Sequence, residues 1–383
     1  MGTKSTAENR ATQGYQLTEL IGLCGEFPAD AVYRLGGGKE YRQDLITRLK
    51  KTGVIKVHYR DKLRGYRLTT RAKQTLLANN PDRFEFYLIG NVDTNIVQSD
   101  ITRRLRLHRI ANVLVTMHNA DIKVFRDEKP DVFNPDSDDT EIAEPSFYSS
   151  REYKMIDHEM VKAQNARAVG ILLSPDDIFI VYNTENYVMK WDCKSEIKIK
   201  SIIRQYLCFA RMPHQYPYPP SEITGLLFGN SMEMLYQVMT GGDKQKPSYF
   251  FLDGTFQNFI FLTNDRYGEV QLRLMCDADR RVRLDDMFRE GRNPHNSNSV
   301  IENDAIDRDG NPILFAYLPD MPRLARFVAG VKIHDRAGTI VCFDFQKDVL
   351  SRYCGEWVEF EVIIFEKFMK VFYPPTESAA NHT

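Results

Sequence analysis

Hydrophobic positions in the first third of the chain follow helical spacing, then strand spacing, then helical spacing again. Helices are predicted over 16–26, 28–35, 39–52, 69–79 and 99–119, and short strands over 54–59, 66–68 and 83–89. The third helix follows three consecutive glycines, and the first two strands enclose a charged tip at 60–65. The last helix carries an apolar stripe that requires a partner surface, formed by Leu107, Ile110, Leu114 and Met117.

The remaining two thirds of the chain alternate predicted strands with predicted helices. Strands are expected at 168–173, 178–183, 187–191, 259–263, 270–276, 313–318, 339–345 and 357–365, and helices at 195–212, 321–329 and 346–353. The spans 259–263 and 270–276 are predicted to pair as a hairpin. Alternation of this kind is typical of a layered sheet domain. The predicted fold class is α+β, with an N-terminal winged helix-turn-helix followed by a larger α/β sheet domain.

Polar segments divide the chain into predicted regions. Residues 1–14 are expected to form a disordered tail, 15–80 the winged helix, and 81–125 a connecting segment with the long helix. Residues 126–159 hold 11 acidic against 4 basic side chains and three prolines, which predicts an acidic linker or loop. Residues 160–383 are assigned to the α/β domain of unknown role, with a second flexible loop over 289–311.

Charge is distributed unevenly between these regions. Residues 1–125 carry 21 Lys and Arg against 12 Asp and Glu, whereas the other 258 residues carry 30 against 40. The net charge of −1 therefore conceals parts of +9 and −10. Residues 34–73 hold 13 basic against 3 acidic side chains. A basic block of this kind is expected where a protein contacts phosphate backbones, and so favours double-stranded DNA as the partner.

The third helix and the hairpin provide the candidate DNA-binding residues. In a winged helix the third helix enters the major groove and the hairpin touches the adjacent backbone. Leu45 and Leu49 are expected to face inward, and Arg42 and Gln43 are residue types that pair with guanine and adenine edges. The predicted DNA-binding residues are Lys39, Arg42, Gln43, Thr47, Arg48, Lys50, Lys51, Lys56, Arg60, Lys62 and Arg64.

Two stretches resemble known proteins. The segment 65–73, GYRLTTRAK, resembles the G-Y-x-L-T-x-x-G stretch after the wing of many bacterial winged-helix regulators and replication proteins, with Ala72 where glycine is commoner. Together with the arginine-rich helix that follows, the first 125 residues resemble plasmid replication-relaxation proteins of Gram-positive bacteria. The segment 169–206 is similar to proteins carried by integrative elements of Firmicutes. These resemblances imply a mobile-element or plasmid protein and transfer no catalytic residue.

Motifs for catalysis or metal binding are weak. Asp176 with Glu196-Ile197-Lys198 matches the letters of a restriction-endonuclease-like magnesium site, but Glu196 is expected in the first turn of a helix. Asp253, Asp265, Asp277, Asp279, Asp285, Asp286 and Asp320 are expected at turns and helix starts. His108 and His118 are ten residues apart, too far for a pair of ligands on one helix face. The six cysteines are scattered singly and form no CxxC pair.

These patterns predict a non-catalytic, sequence-specific DNA-binding protein, acting as a transcriptional regulator or replication accessory factor. A homodimer paired through the stripe on helix 99–119 is expected, with a further protein partner for the C-terminal domain and no cofactor. The absence of a long apolar run or a secretory signal predicts a cytoplasmic protein without membrane contact. Two alternatives stay open: a metal-dependent nuclease or other DNA-processing enzyme with a winged-helix targeting domain, and a protein-interaction component of a larger assembly.

Overall fold

The computed structural model describes residues 13–156, 166–219, 222–241, 249–250, 252–294 and 300–374. Within these ranges the fold is α+β, with twelve α-helices and three sheets. The α-helices are α1 Gln13–Cys24, α2 Lys39–Lys51, α3 Thr70–Asn79, α4 Pro81–Leu88, α5 Ile101–Asn119, α6 Cys193–Arg204, α7 Met232–Thr240, α8 Arg266–Met275, α9 Ala278–Arg289, α10 Met321–Ile333, α11 Asp344–Cys354 and α12 Phe365–Phe372.

The strands fall into one small and two larger sheets. They are β1 Phe27–Pro28, β2 Ile55–Arg60, β3 Leu63–Leu68, β4 Ser146–Ser149, β5 Gly170–Leu173, β6 Ile178–Glu185, β7 Ile223–Gly229, β8 Phe259–Thr263, β9 Asn293–Pro294, β10 Ala305–Ile306, β11 Pro312–Phe315, β12 Gly338–Phe343 and β13 Val358–Ile363. The sheet orders are β1-β3-β2, β4-β5-β6-β7-β8 and β13-β12-β11-β10-β9. The first is antiparallel, and each larger sheet combines parallel with antiparallel pairs.

The N-terminal elements pack directly against the second sheet. One continuous apolar core contains Leu20 of α1 and Leu114 of α5 together with Phe179 of β6 and Phe228 of β7. The stripe predicted on helix 99–119 therefore lies inside the chain, since Leu107, Leu114 and Met117 are buried and Ile110 is half-buried. The expectation that this stripe pairs two copies of the chain is wrong.

The acidic segment predicted as a linker is also part of the folded structure. Among its described residues it contributes β4, which pairs with β5, and it buries Phe133 and Tyr148 in the core of the second sheet. Lys129 is buried with it and pairs with Glu152 at 2.8 Å. The acidic composition of residues 126–159 concealed these apolar anchors. Similarly, the predicted loop 289–311 includes the end of α9 and the short strands β9 and β10.

Several predicted elements have a different secondary structure. The stretch 83–89 lies mostly in α4 instead of a strand, because Asn80 caps the helix by accepting from the Arg83 amide and Pro81 occupies its first turn. The predicted strand 270–276 instead forms the end of α8 up to Met275, and the start of this helix is capped by Asp265. The predicted helix 28–35 is replaced by β1 and a single 3₁₀ turn, Ala31–Arg34.

Other boundaries also differ. In the predicted strand 187–191, Lys190 forms an isolated bridge with Tyr249, and this stretch belongs to none of the described strands. Helix α6 begins two residues before Ser195, after Asp192, and passes into a π-helical turn, Gln205–Arg211. Of the predicted tail, residues 1–12 lie outside the described residues, and Gln13 and Gly14 belong to α1.

Candidate nucleic-acid interface

Helix α2 presents one apolar face to the core and one polar face outward. Leu45 and Ile46 are buried and Leu49 is half-buried, which fixes the orientation of the helix. The helix begins at Lys39, after Gly38, and carries Arg48, Lys50 and Lys51 in its last turn. Cations at this end also complement the helix dipole, so their presence alone does not identify a binding surface.

The β2–β3 hairpin next to α2 is tighter than predicted. Arg60 pairs with Leu63, so only Asp61 and Lys62 form the turn, with φ values of 53° and 60°. Two consecutive residues with positive φ are the signature of a type I′ turn, whose twist suits a two-residue hairpin. The charged tip 60–65 expected from the sequence is therefore mostly strand, and each side chain is assigned to one face of the hairpin.

A cleft of about 330 Å³ separates α2 from the hairpin and the 3₁₀ turn. Five of the eleven predicted DNA-binding residues line it, and no Asp or Glu is among its described lining residues. The predicted residues in the cleft are Arg42, Gln43, Thr47, Lys50 and Arg64. Tyr33 also lines the cleft and is 46% exposed, although it lies in a stretch that the sequence predicted as an ordinary helix. The cleft face therefore combines cationic, amide and hydroxyl groups.

Arg42 is held by the protein's own backbone. Its guanidinium donates to the carbonyl of Tyr33 and, at 3.3 Å, to the carbonyl of Gly36. These bonds tie the start of α2 to the turn before it. The expectation that Arg42 contacts a base is not supported by this arrangement, whereas Gln43, one residue further along, is exposed.

The remaining predicted residues of the hairpin lie on different faces. Register pairs Tyr59 with Arg64 and Lys56 with Arg67, and neighbouring side chains on a strand point to opposite sides. Arg64 thus faces α2, whereas Lys56 and Arg60 project from the opposite face of the hairpin. Tyr59, which the sequence analysis did not select, lies on the same face as Arg64 and is 68% exposed.

Two of the α2 residues also lie away from the cleft. Arg48 lines a separate cavity of about 590 Å³ between α1, α2 and α3. Lys51 is exposed in the last turn of α2 and does not line the cleft. Lys39 and Lys62 are exposed at the helix start and the hairpin turn. The eleven predicted residues thus form one concentrated group and several separate ones.

A buried ionic cluster supports the hairpin from behind. Glu26 is fully buried and accepts from Arg67 at 2.7 Å, from Arg104 at 2.8 Å and from the His108 ring at 2.8 Å. Burial raises the pKa of Glu26, but hydrogen bonds from His108, Arg104 and Arg67 outweigh it and lower this pKa to about 2. The carboxylate therefore stays ionised among its three partners at neutral pH.

Arg104 also connects the cluster to the hairpin backbone. Its guanidinium donates to the carbonyl of Arg60 at 3.0 Å and to that of Leu63 at 2.9 Å, on either side of the turn. Because Arg104 belongs to α5, and Arg109 of the same helix pairs with Glu185 of β6 at 3.3 Å, the hairpin is anchored to the second sheet. No short sequence motif predicts this cluster, because Glu26 and Arg104 are 78 residues apart.

The nuclease motif is not assembled. Glu196 lies in the first turn of α6, as the helix-start interpretation predicts, with its carboxylate accepting from the Arg167 amide at 2.7 Å and the Tyr182 hydroxyl at 2.9 Å. Burial raises its pKa to about 7. Asp176 is exposed in the turn between β5 and β6. Across the described parts of the chain, no group of three His, Cys, Asp or Glu side chains is placed to hold a metal ion.

The other acidic and histidine candidates have local structural roles. Asp265, Asp277 and Asp320 accept from backbone amides at the starts of α8, α9 and α10. His118 packs edge-on against Phe125, and burial lowers its pKa. His118 is therefore a packed, largely buried side chain.

Comparison of the chain with models of known protein families, with curated proteins and with solved structures found no match. None of the helices in the described ranges is both long enough and apolar enough to cross a lipid bilayer. The interpretation of the cleft therefore depends on its own geometry and charge.

Proposed function

We propose that this chain binds double-stranded DNA through α2 and the α2-facing side of the β2–β3 hairpin. The proposal rests chiefly on the cleft, where Gln43, Thr47 and Lys50 of α2 face Arg64 of β3 without a carboxylate among the described lining residues. Lysine and arginine supply phosphate contacts, and an exposed glutamine can pair with an adenine edge. The cleft residues, not all eleven predicted residues, form the proposed interface.

The order of the surrounding elements supports the same proposal. A helix, a short strand, a 3₁₀ turn, a second helix and a hairpin follow one another, and the strand order is β1-β3-β2. We interpret this arrangement as a winged helix in which the second helix is reduced to one turn. Helix α2, at 13 residues, is about 20 Å long and presents its polar side outward, as a helix lying in a major groove requires.

Within this proposal, the chain acts as a regulator or replication accessory factor of a mobile element that recognises a specific sequence. Selection of bound sequences from random duplexes tests this directly, and we expect a recurrent motif. If two copies bind together, the motif will contain an inverted repeat. Recovery of random sequences at high salt would contradict sequence recognition.

A cleavage assay on supercoiled plasmid separates binding from catalysis. Incubation with Mg²⁺ or Mn²⁺ is expected to leave supercoiled plasmid intact, because Glu196 is engaged inside the core. Nicking that disappears in Glu196→Gln would instead favour the DNA-processing alternative.

A further inference from the structure

Four arginines surround a smaller cavity beside α5. Arg103, Arg106 and Arg109 are spaced three residues apart on the helix, and Arg167 comes from the segment just before β5. The cavity has a volume of about 170 Å³ and is not part of the cleft beside α2.

The positive charge around this cavity is only partly balanced. Arg106 pairs with Asp93 at 3.3 Å and Arg109 with Glu185 at 3.3 Å. Within the described ranges, Arg103 and Arg167 form no ion pair with a carboxylate. The Arg167 charge does act on the nearby Glu196 carboxyl, whose pKa it lowers against the effect of burial. Because guanidinium groups stay charged at any ordinary pH, Arg103 therefore leaves one positive charge near the cavity without a counter-charge in this part of the chain.

Hydrogen-bond donors are also available there. The Nε atom of Arg167 is shielded from solvent and has no hydrogen-bond partner among the described residues. An unsatisfied buried donor is costly unless a ligand accepts from it. The Ser150 hydroxyl lies 3.5 Å from the Arg106 guanidinium and Thr102 lines the cavity as well.

The neighbouring Lys154 is close enough to be affected by the Arg106 charge. Burial lowers the pKa of Lys154, and the Arg106 guanidinium lowers it further, whereas Asp93 acts in the opposite direction. Lys154 is therefore within electrostatic range of both Arg106 and Asp93, and burial is the main cause of its shift.

We propose that this cavity is a binding site for a phosphate group, held by Arg103, Arg106 and Arg167 with help from the Ser150 hydroxyl. Planar guanidinium forks match the oxygen geometry of phosphate, and several of them together give selectivity over chloride. Ile110 and Ala168 supply an apolar wall beside the charged groups. The phosphate comes from a free phosphorylated compound or from a nucleic-acid backbone that reaches this side of α5.

Calorimetric titration with sodium pyrophosphate at constant ionic strength tests the site. Saturable binding with one equivalent is expected for the unaltered chain. Arg103→Ala combined with Arg167→Ala should weaken it at least about tenfold, since each charge-assisted hydrogen bond contributes that order. A matched pair of exposed arginines in another part of the chain, Arg308→Ala with Arg336→Ala, should leave the affinity unchanged.

Thermal unfolding of each variant separates loss of the site from loss of the fold. Arg103→Lys with Arg167→Lys keeps the charge but removes the planar forks, and should also bind pyrophosphate more weakly than the unaltered chain. Absence of saturable binding to the folded, unaltered chain, or equal affinity in the Arg103→Ala and Arg167→Ala variant, would overturn the proposal.

A second titration of the same variant, with duplex DNA, distinguishes the two possible sources of the phosphate. If the Arg103→Ala and Arg167→Ala variant loses affinity for both ligands, the site serves the nucleic-acid backbone. If it loses only pyrophosphate binding, the site serves a free phosphorylated compound. Lys50→Ala with Arg64→Ala should leave pyrophosphate binding intact, so failure of the proposed DNA interface and failure of this site are distinguishable.

Discussion

The Arg104 guanidinium and the Glu26 carboxylate pair at 2.8 Å, and neither side chain has any exposed surface. The same arginine donates to the backbone on both sides of the β2–β3 turn. The hairpin that bears Arg64 is thus positioned by an ion pair between Glu26, the residue just before β1, and Arg104 of α5. Removing one member of a buried pair leaves the other charged and unpaired, which is strongly destabilising.

Replacing Glu26 with glutamine should destabilise the protein by about 3 kcal/mol at neutral pH, because Arg104 and Arg67 lose their counter-charge. The folded-state pKa of Glu26, about 2, lies below the ordinary glutamate value of 4.5. Stability from Glu26 is therefore fully present above about pH 4.5 and is lost as pH falls toward 2. Urea unfolding measures the free energy of unfolding of both proteins. The difference in this free energy between the unaltered chain and Glu26→Gln should become smaller as the pH is lowered from 7 to 3. A difference in the free energy of unfolding that stays constant over this range would contradict the lowered pKa of Glu26.

Gly65→Ala should cost about 2 kcal/mol or more, since its added Cβ meets Glu26 Oε1 at 2.4 Å. The clash cannot be relieved by rotating Glu26, because that side chain is held by three donors. Gly38→Ser provides the control: a Cβ there meets nothing within 4 Å, and serine is a preferred helix cap. Comparable unfolding midpoints for the two variants would show that the close approach is absent.

The raised pKa of Glu196 predicts a pH dependence of stability opposite to that from Glu26. Burial raises the pKa of Glu196 from the ordinary value of 4.5 to about 7, so its contribution to stability is present below pH 4.5 and is lost as pH rises through 7. Glu196→Gln should remove this loss, which amounts to at most about 3 kcal/mol. Relative to the unaltered chain, the variant should gain thermal stability between pH 5 and pH 8. An equal pH dependence in both proteins would mean that the carboxyl is not desolvated.

The secondary structure was predictable where local caps agree with the hydrophobic spacing. Helix α5 was predicted to within two residues because Asp100 is its cap. The prediction of a strand at 270–276 was wrong because seven residues of alternating polarity are compatible with a strand and with an amphipathic helix. The helix forms because Asp265 accepts from the Tyr267 and Gly268 amides. Gly268 is also required there, since a Cβ would lie 1.9 Å from the Thr263 carbonyl oxygen.

The sequence predicted that positive charge is concentrated in this region, but it did not predict which of the charged side chains share one face. The face on which a hairpin side chain points depends on register, and the turn proved to be two residues long. That register separates Arg64 from Lys56 and Arg60. The contacts of Arg42 could not be predicted either, because its partners are backbone carbonyls: that of Tyr33, in a stretch predicted as helix, and that of Gly36, in the glycine turn.

The burial of the acidic segment and of the α5 stripe depends on long-range packing. Leu114 of α5 shares a core with strands of the second sheet that occur more than 60 residues later in the chain. Hydrophobic spacing predicts that such a stripe needs a partner, but it does not distinguish a partner in the same chain from a second copy.

The salt dependence of duplex binding tests the central claim most directly. Fluorescence anisotropy with a labelled duplex should give a negative slope of log affinity against log salt. Lys50→Ala with Arg64→Ala should reduce the magnitude of that slope by about 2 and weaken binding about tenfold or more. The matched control, Lys332→Ala with Arg336→Ala, changes two exposed cations outside the cleft and should match the unaltered chain. Equal slopes and affinities for all three proteins would contradict a DNA interface in this cleft.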